Sequence, residues 1–407
     1  MAEIVFKIID AYAPIYNKCP TPIIYDPKTR RLRAIRSLRK LIPWIVCCIL
    51  IWGVFSIVPK LFQLYYILRR ARQLGHFPSK IEEPFAAPRH LVSICMVTLL
   101  FGSAILISSF SYFCHGNIVP DVNAILALTE TITMQRNLTG TNKNKTTKKS
   151  HTWNDPTAIP RFVPRFLLYM APAISIFAVY KGTDPFTFIL SWIPKKTLPP
   201  KIRLLVKLFS FLNLTLAYAT SLQIICGSGY MVCIVAWLLL YNLKQVDATS
   251  RMTSTLSSIS PYNQLQIILT SLTPVQTTAS FFGLALTASI TIMCNIISIT
   301  MYDVLPPNLY MLGPFWSLVL FIGANIVLKN ASQYGIVSKE MLRRWKKNVT
   351  LSKTGKEHAR RVRAMRLIRP WIGIWRTNMI PVDRKLMCDY DVLISESTLD
   401  CLLVFEE

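Results

Sequence analysis

Few side chains in this 407-residue sequence are spaced to do covalent or metal chemistry. The five histidines (His76, His90, His115, His151, His358) all stand outside the long apolar runs. None has a cysteine or carboxylate at ligand spacing. Ten cysteines are scattered, with Cys47, Cys48, Cys95, Cys233 and Cys294 inside apolar runs and no C-x-x-C pair. They read as small buried apolar side chains rather than as a zinc or redox centre. H-E-x-x-H, G-x-S-x-G, the P-loop and the dinucleotide-binding glycine pattern are all missing. The expectation is a protein that is not an enzyme and has neither cofactor nor metal.

The apolar runs contain no Asp or Glu. Lys207, their one cation, lies close enough to a run end to snorkel. Ion-coupled transport usually needs intramembrane carboxylates, so it is disfavoured, whereas a pore or receptor lined by neutral polar groups is not. Such groups form stripes. Gly283, Thr287, Thr291, Asn295 and Ser298 fall at i, i+4, i+8, i+12 and i+15, which is one helical face. Ser210, Asn213, Thr220 and Ser221 share another, and a later run carries Gly313, Ser317 and Asn325, with Pro314 able to kink it. The candidate ligand- or pore-lining residues are therefore Asn213, Thr220, Thr287, Thr291, Asn295, Ser298, Ser317 and Asn325. The competing reading is helix packing, since small and hydroxylated residues let backbones approach and bond across helices. Packing is favoured at single positions. The asparagines weigh evenly, because an amide in hydrocarbon must find a partner.

The elements that must position these residues are membrane helices. Apolar residues make up 52% of the chain, charged residues only 16%, and the mean hydropathy is +0.39, against roughly 25% charged in ordinary soluble domains. Disorder, a collagen-like repeat and a disulfide-stapled scaffold are excluded. Lys+Arg number 46 against 20 Asp+Glu, a net charge of +26. The basic residues border the apolar runs, so the partner they imply is the lipid bilayer and not nucleic acid. Glu3, Lys7 and Asp10 interrupt the start of the chain before a signal-peptide core could form.

Runs of spanning length or near it lie at 41–58, 91–113, 166–180, 204–243, 281–301 and 309–328. The 40-residue run 204–243 contains Gly227-Ser228-Gly229 and reads either as one long helix or as a hairpin of two spans. The predicted class is an all-α polytopic transmembrane bundle. A basic segment 1–40 precedes the bundle at 41–328, which carries a polar loop at 116–164, and a basic amphipathic tail follows at 329–407.

That tail holds 16 of the basic residues and belongs in the cytoplasm by the positive-inside rule. Six spans then leave both ends and 116–164 cytoplasmic. Seven spans put 116–164 outside, where the sequons at Asn137 and Asn144 are usable glycosylation sites, but strand the basic amino terminus outside as well. Six are favoured, with seven open. Cys114 and Cys226 both face an oxidising compartment only with seven. Trp345 among Arg343, Arg344, Lys346 and Lys347, and Trp371 and Trp375 beside Arg369 and Arg376, read as a solvated basic surface at the membrane boundary, or as a dock for anionic lipid or a partner helix.

The layout of about 400 residues, a cytoplasmic amino terminus, a long fourth span and a closely coupled antiparallel pair followed by a basic segment resembles the arthropod gustatory and odorant receptors. The resemblance covers most of the chain and rests on layout. Members of that family end in a seventh span with a Thr-Tyr…Gln-Phe signature, which this sequence lacks; residues 389–407 read as too short and acidic to span. The resemblance implies a plasma-membrane chemoreceptor, homo- or hetero-oligomeric, that binds a small molecule among its helices and opens a cation path. A facilitative transporter and a non-catalytic membrane interaction protein are the alternatives.

Overall fold

The computed structural model describes residues 2–406 except 77, 79–81, 139–157, 194–198, 253–254, 301, 303–309, 352–355 and 376. Two short antiparallel hairpins interrupt an otherwise helical chain. Helix α1 (Ala2–Tyr16) leads into β1 (Ile23–Asp26) and β2 (Arg31–Ala34). Helix α2 (Leu38–Val46), a π-helical segment (Cys47–Ile57) and α3 (Val58–Leu74) then run on as one rod. The π stretch shows its i−5 backbone bonding where the Val58 amide donates to the Gly53 carbonyl, and the Ser56 hydroxyl donates to the Ile51 carbonyl at 2.7 Å. Next come α4 (Pro88–Phe113), α5 (His115–Leu138), α6 (Ala158–Tyr180), α7 (Pro185–Ser191), α8 (Pro200–Met252) and α9 (Thr255–Thr300). The chain finishes with α10 (Leu312–Leu351), α11 (Lys356–Ala364), β3 (Trp371–Ile372), β4 (Ile380–Pro381) and α12 (Arg384–Glu406).

Six helices are long and apolar enough to cross a membrane. The favoured count therefore holds, and the chain is a multi-pass membrane protein. The run with two glycines is one unbroken helix. Gly227 serves a contact instead of a turn: a Cβ there would sit 2.5 Å from the Tyr16 ring and 3.1 Å from the Tyr12 hydroxyl, so its absence lets α1 lie against α8. At 53 residues and about 1.5 Å each, α8 is about 80 Å long, well beyond a hydrocarbon core of about 30 Å. Helices α9 and α10 also overshoot.

The overhanging ends build a core of their own outside the membrane. Leu238, Leu243 and Val246 of α8, Tyr262 and Leu265 of α9, and Met341 and Trp345 of α10 pack there. Phe6 and Ile9 of α1, Tyr25 and Leu32 of the hairpin, Ile125 and Leu126 of α5, and Val362, Met365 and Ile368 join them. The amino-terminal segment, the start of the polar loop and the segment after α10 thus share one core and lie on one face of the bundle. Seven-span threading, which puts 116–164 and the amino terminus opposite that segment, is incompatible with this packing. Asn137 falls in the last turn of α5, the helix that supplies Ile125 and Leu126 to the shared core; Asn144 lies outside the described residues. Cys114 and Cys226 are both free thiols.

Side-chain bonds fix this external core. Asp247 of α8 binds Arg251 at 2.9 Å and also Arg344 of α10. The Tyr262 hydroxyl meets Ser338 Oγ and the Arg366 carbonyl, each at 2.8 Å, and Ser338 Oγ accepts from the Ile368 amide at 3.0 Å. The segment read as one basic tail, 329–407, divides accordingly. Its first part continues α10, the middle closes the external core, and α12 returns along the membrane halves of α9 and α10. There Tyr390 and Ile394 cluster with Ala288, Ala324 and Leu328.

Candidate functional site

Three polar clusters lie inside the bundle. In the first, α8 faces the π-helical segment. Trp52, fully buried, donates its indole N–H to Thr220 Oγ1 at 3.2 Å, and Thr220 in turn donates to the Leu216 carbonyl at 2.7 Å. Asn213 Nδ2 reaches Ser56 Oγ at 3.3 Å. The wider π turn brings Trp52 and Ser56 onto the α8 side of the rod, where both are buried. Two of the sequence-predicted residues, Asn213 and Thr220, therefore meet one partner helix.

The second cluster joins α9, α10 and α12. Ser317 Oγ donates to Asn295 Oδ1 at 2.5 Å, and Asn295 Nδ2 points to Thr398 Oγ1 at 3.3 Å. About two turns earlier on α12, Asp391 Oδ1 accepts from Asn325 Nδ2 at 3.1 Å, and that amide also donates to the Phe321 carbonyl of its own helix at 3.2 Å. The close crossing of α9 and α10 depends on Gly313, where a Cβ would stand 2.7 Å from Ser298 Oγ and 3.3 Å from the Cys294 carbonyl. Thr287, Thr291 and Ser298 instead bond back to their own helix, to the carbonyls of Gly283, Thr287 and Cys294. Such i−4 bonds satisfy a hydroxyl without a partner helix. The stripe on α9 is thus only partly a site: Asn295 is brought together with Ser317, whereas the half-buried Thr287 is not.

The third cluster was not foreseen. Lys60 borders the first apolar run in the sequence, and Pro59 stands where the π-helical segment passes into α3, with the rod continuing past it. Lys60 is fully buried, at the end of the bundle away from the external core. Its Nζ donates to the Thr183 carbonyl at 2.6 Å and to Gln63 Oε1 at 3.2 Å; Ser93 Oγ donates to the same carbonyl at 2.8 Å. Asp184, 2% exposed, caps α7 by accepting from the Thr187 amide at 3.1 Å, and takes the Ser210 hydroxyl at 2.7 Å. A buried ammonium and a buried carboxylate are tolerable together only when both are hydrogen-bonded, as they are here. The rings of Phe55, Phe186 and Phe209 (centroids 5.4–6.3 Å apart) and of Phe85 and Phe188 (5.1 Å apart) border the cluster. The legible signal was Asp184-Pro185, an N-cap residue followed by proline at the first helical position. By contrast Lys207 is exposed, in keeping with a snorkelling cation.

Outside the spanning segments, Asp121 of α5 is buried and its Oδ2 has no hydrogen-bond partner among the described residues. Burial pushes its carboxyl above the usual range, with a hydrogen bond from Ser271 pulling the other way. Burial also raises the Tyr25 phenol, helped by the negative charge of Asp10. A groove of about 760 Å³ opens along α3 beside Tyr65, Leu68, Arg69, Arg72 and Gln73, and none of the sequence-predicted residues lines it. Among the described residues no group of three or more His, Cys, Asp or Glu could hold a metal ion. No protein-family model matches the chain, and no curated protein matches it either.

Proposed function

We propose that this multi-pass membrane protein is a chemoreceptor-like protein of the plasma membrane, that it binds a small molecule within its bundle, and that copies of it surround a cation path bordered by α12. The observation that carries the reading is the free face of α12. Asp389, Glu396 and Asp400 fall at i, i+7 and i+11, a single stripe, and all three are exposed. The bonds from Asn325 to Asp391 and from Asn295 to Thr398 hold this helix alongside the two spans it accompanies. Carboxylates so placed are costly against lipid and belong on a water-filled path. A ring of them, formed by copies about an axis, favours cations over anions. The layout shared with arthropod gustatory and odorant receptors supports the small-molecule part of the reading. The π-helical segment beside Asn213 and Thr220 supports placing the ligand there, since π turns recur at functional sites.

The test is conductance of the purified chain in planar bilayers under a KCl gradient, with its assembly state measured in parallel. Wild type is expected to be oligomeric and cation-selective. Glu396→Gln/Asp400→Asn is expected to lower the K⁺/Cl⁻ permeability ratio at least about threefold. A monomer, or a ratio that neutralisation leaves unchanged, would sink the pore. Screening volatile and sapid organic molecules for evoked cation flux, with Asn213→Ala and Thr220→Ala as controls, tests the receptor half separately.

A further inference from the structure

We propose that the β3–β4 hairpin docks on anionic phospholipid headgroups of the leaflet bordering the external core. The hairpin tip is apolar and uncovered: Ile374, Trp375, Met379 and Ile380 are 45%, 63%, 60% and 49% exposed. Its position is fixed by α9. The Trp375 amide donates to Thr278 Oγ1 at 2.7 Å, and the Trp375 carbonyl accepts from Thr277 Oγ1 at 2.9 Å. The Gly373 amide bonds the Thr277 carbonyl, and a Cβ at Gly373 would collide with the Thr377 carbonyl across the hairpin turn. Between these anchors Trp375 is held at φ +58°, a left-handed conformation that a residue other than glycine adopts only when its surroundings impose it.

The clamp sets the height of the tip. Thr277 and Thr278 precede the apolar run beginning at Phe281 by about one helical turn, or about 5 Å. The headgroup layer on each side of the hydrocarbon is about 5–8 Å thick, so the tip is held at headgroup level. Tryptophan with large aliphatic neighbours is suited to that layer. The base of the hairpin supplies the charge: Arg366, Arg369, Arg384 and Lys385 are exposed around it. Among the described residues, the acid bonded to this group is Asp383, taken up by Arg369 at 3.4 Å. An apolar tip inserted at the interface, with unneutralised basic residues beside it, matches an anionic leaflet by charge as well as by depth. Because α12 starts at Arg384, directly after the hairpin, a docked hairpin also fixes where that helix enters the bilayer.

The full chain in vesicles tests this through the fluorescence lost on Trp375→Phe. Dibrominated phosphatidylserine is expected to quench that component at least about twofold more than dibrominated phosphatidylcholine. Arg384→Gln/Lys385→Gln should bring the two lipids to parity. Should Trp375→Phe fold poorly, Met379→Trp adds a reporter at the same tip and is expected to show the same lipid preference. Equal quenching by both lipids in wild type overturns the proposal. So does quenching by aqueous iodide with indifference to brominated lipid, which means a solvated loop. Shielding from lipid and iodide alike also overturns it and assigns the tip to a contact between copies of the chain.

Discussion

The amino-terminal hairpin offers a test of the shared core that needs no ligand. In the pair Tyr25–Leu32, each strand turns its free peptide edge outward, and each edge is met by one asparagine. Asn17 accepts from the Tyr25 amide at 3.0 Å and donates to its carbonyl at 2.6 Å. Asn123, on α5, accepts from the Leu32 amide at 2.8 Å and donates to its carbonyl at 3.0 Å. A primary amide has the donor and acceptor needed to stand in for a neighbouring strand, so α5 closes the edge of a two-stranded sheet. Asn123→Ala removes both bonds and leaves the Leu32 N–H and C=O without protein partners. At about 1 kcal/mol each, the loss is about 2 kcal/mol, a factor of ~30 in the population of undocked hairpin. The bidentate Arg31–Glu130 pair, at 2.6 and 3.3 Å and 29% exposed on both sides, stays behind and adds little to offset this.

The assay is limited trypsin digestion of the purified chain, followed at Arg30, Arg31 and Arg33. When reclosing outpaces cleavage, the cutting rate tracks the open population, so Asn123→Ala should be cut up to ~30-fold faster at these sites. Cutting at the exposed Arg69 and Arg70 of α3, far from the hairpin, should not change. A rate within twofold of wild type at the hairpin arginines would refute the docking of the amino terminus on α5, and with it the argument that both lie on one face.

Other consequences follow from the same contacts. Asn137 should carry no glycan, so glycosidase treatment and Asn137→Gln should each leave gel mobility unchanged; a shift would place α5 across the membrane from the basic residues it packs with. Thr220→Val leaves the fully buried Trp52 indole N–H without its acceptor and should cost about 1–3 kcal/mol, read as a lower midpoint in thermal unfolding in detergent. Asp121 has a carboxyl pKa raised by burial, so the folded chain holds its proton more tightly than the unfolded chain does. Its contribution to stability is therefore lost as pH rises through the interval just above the ordinary carboxylate range. Asp121→Asn should remove that slope and raise the unfolding midpoint at neutral pH.

The sequence made the membrane segments legible because hydropathy sums over a window, and a run such as 281–301 has no charge to dilute it. It made the shared core far less legible. Tyr262, Ser338 and Ile368 lie 76 and 30 residues apart along the chain, and nothing local marks that they meet. The same averaging hid α12. Its Asp and Glu residues lower the mean over any window, yet most of them occupy one face while Tyr390, Ile394 and Thr398 repeat every fourth position on the other. Periodicity of 3.6 residues was the usable signal there, and composition the misleading one. The hidden helix also bears on the candidate site. With no helix assigned beside α9 and α10, the amides of Asn295 and Asn325 lacked visible partners, and a pocket was the natural inference. Thr398 and Asp391 meet those amides directly. The asparagines of α9 and α10 therefore mark where α12 docks.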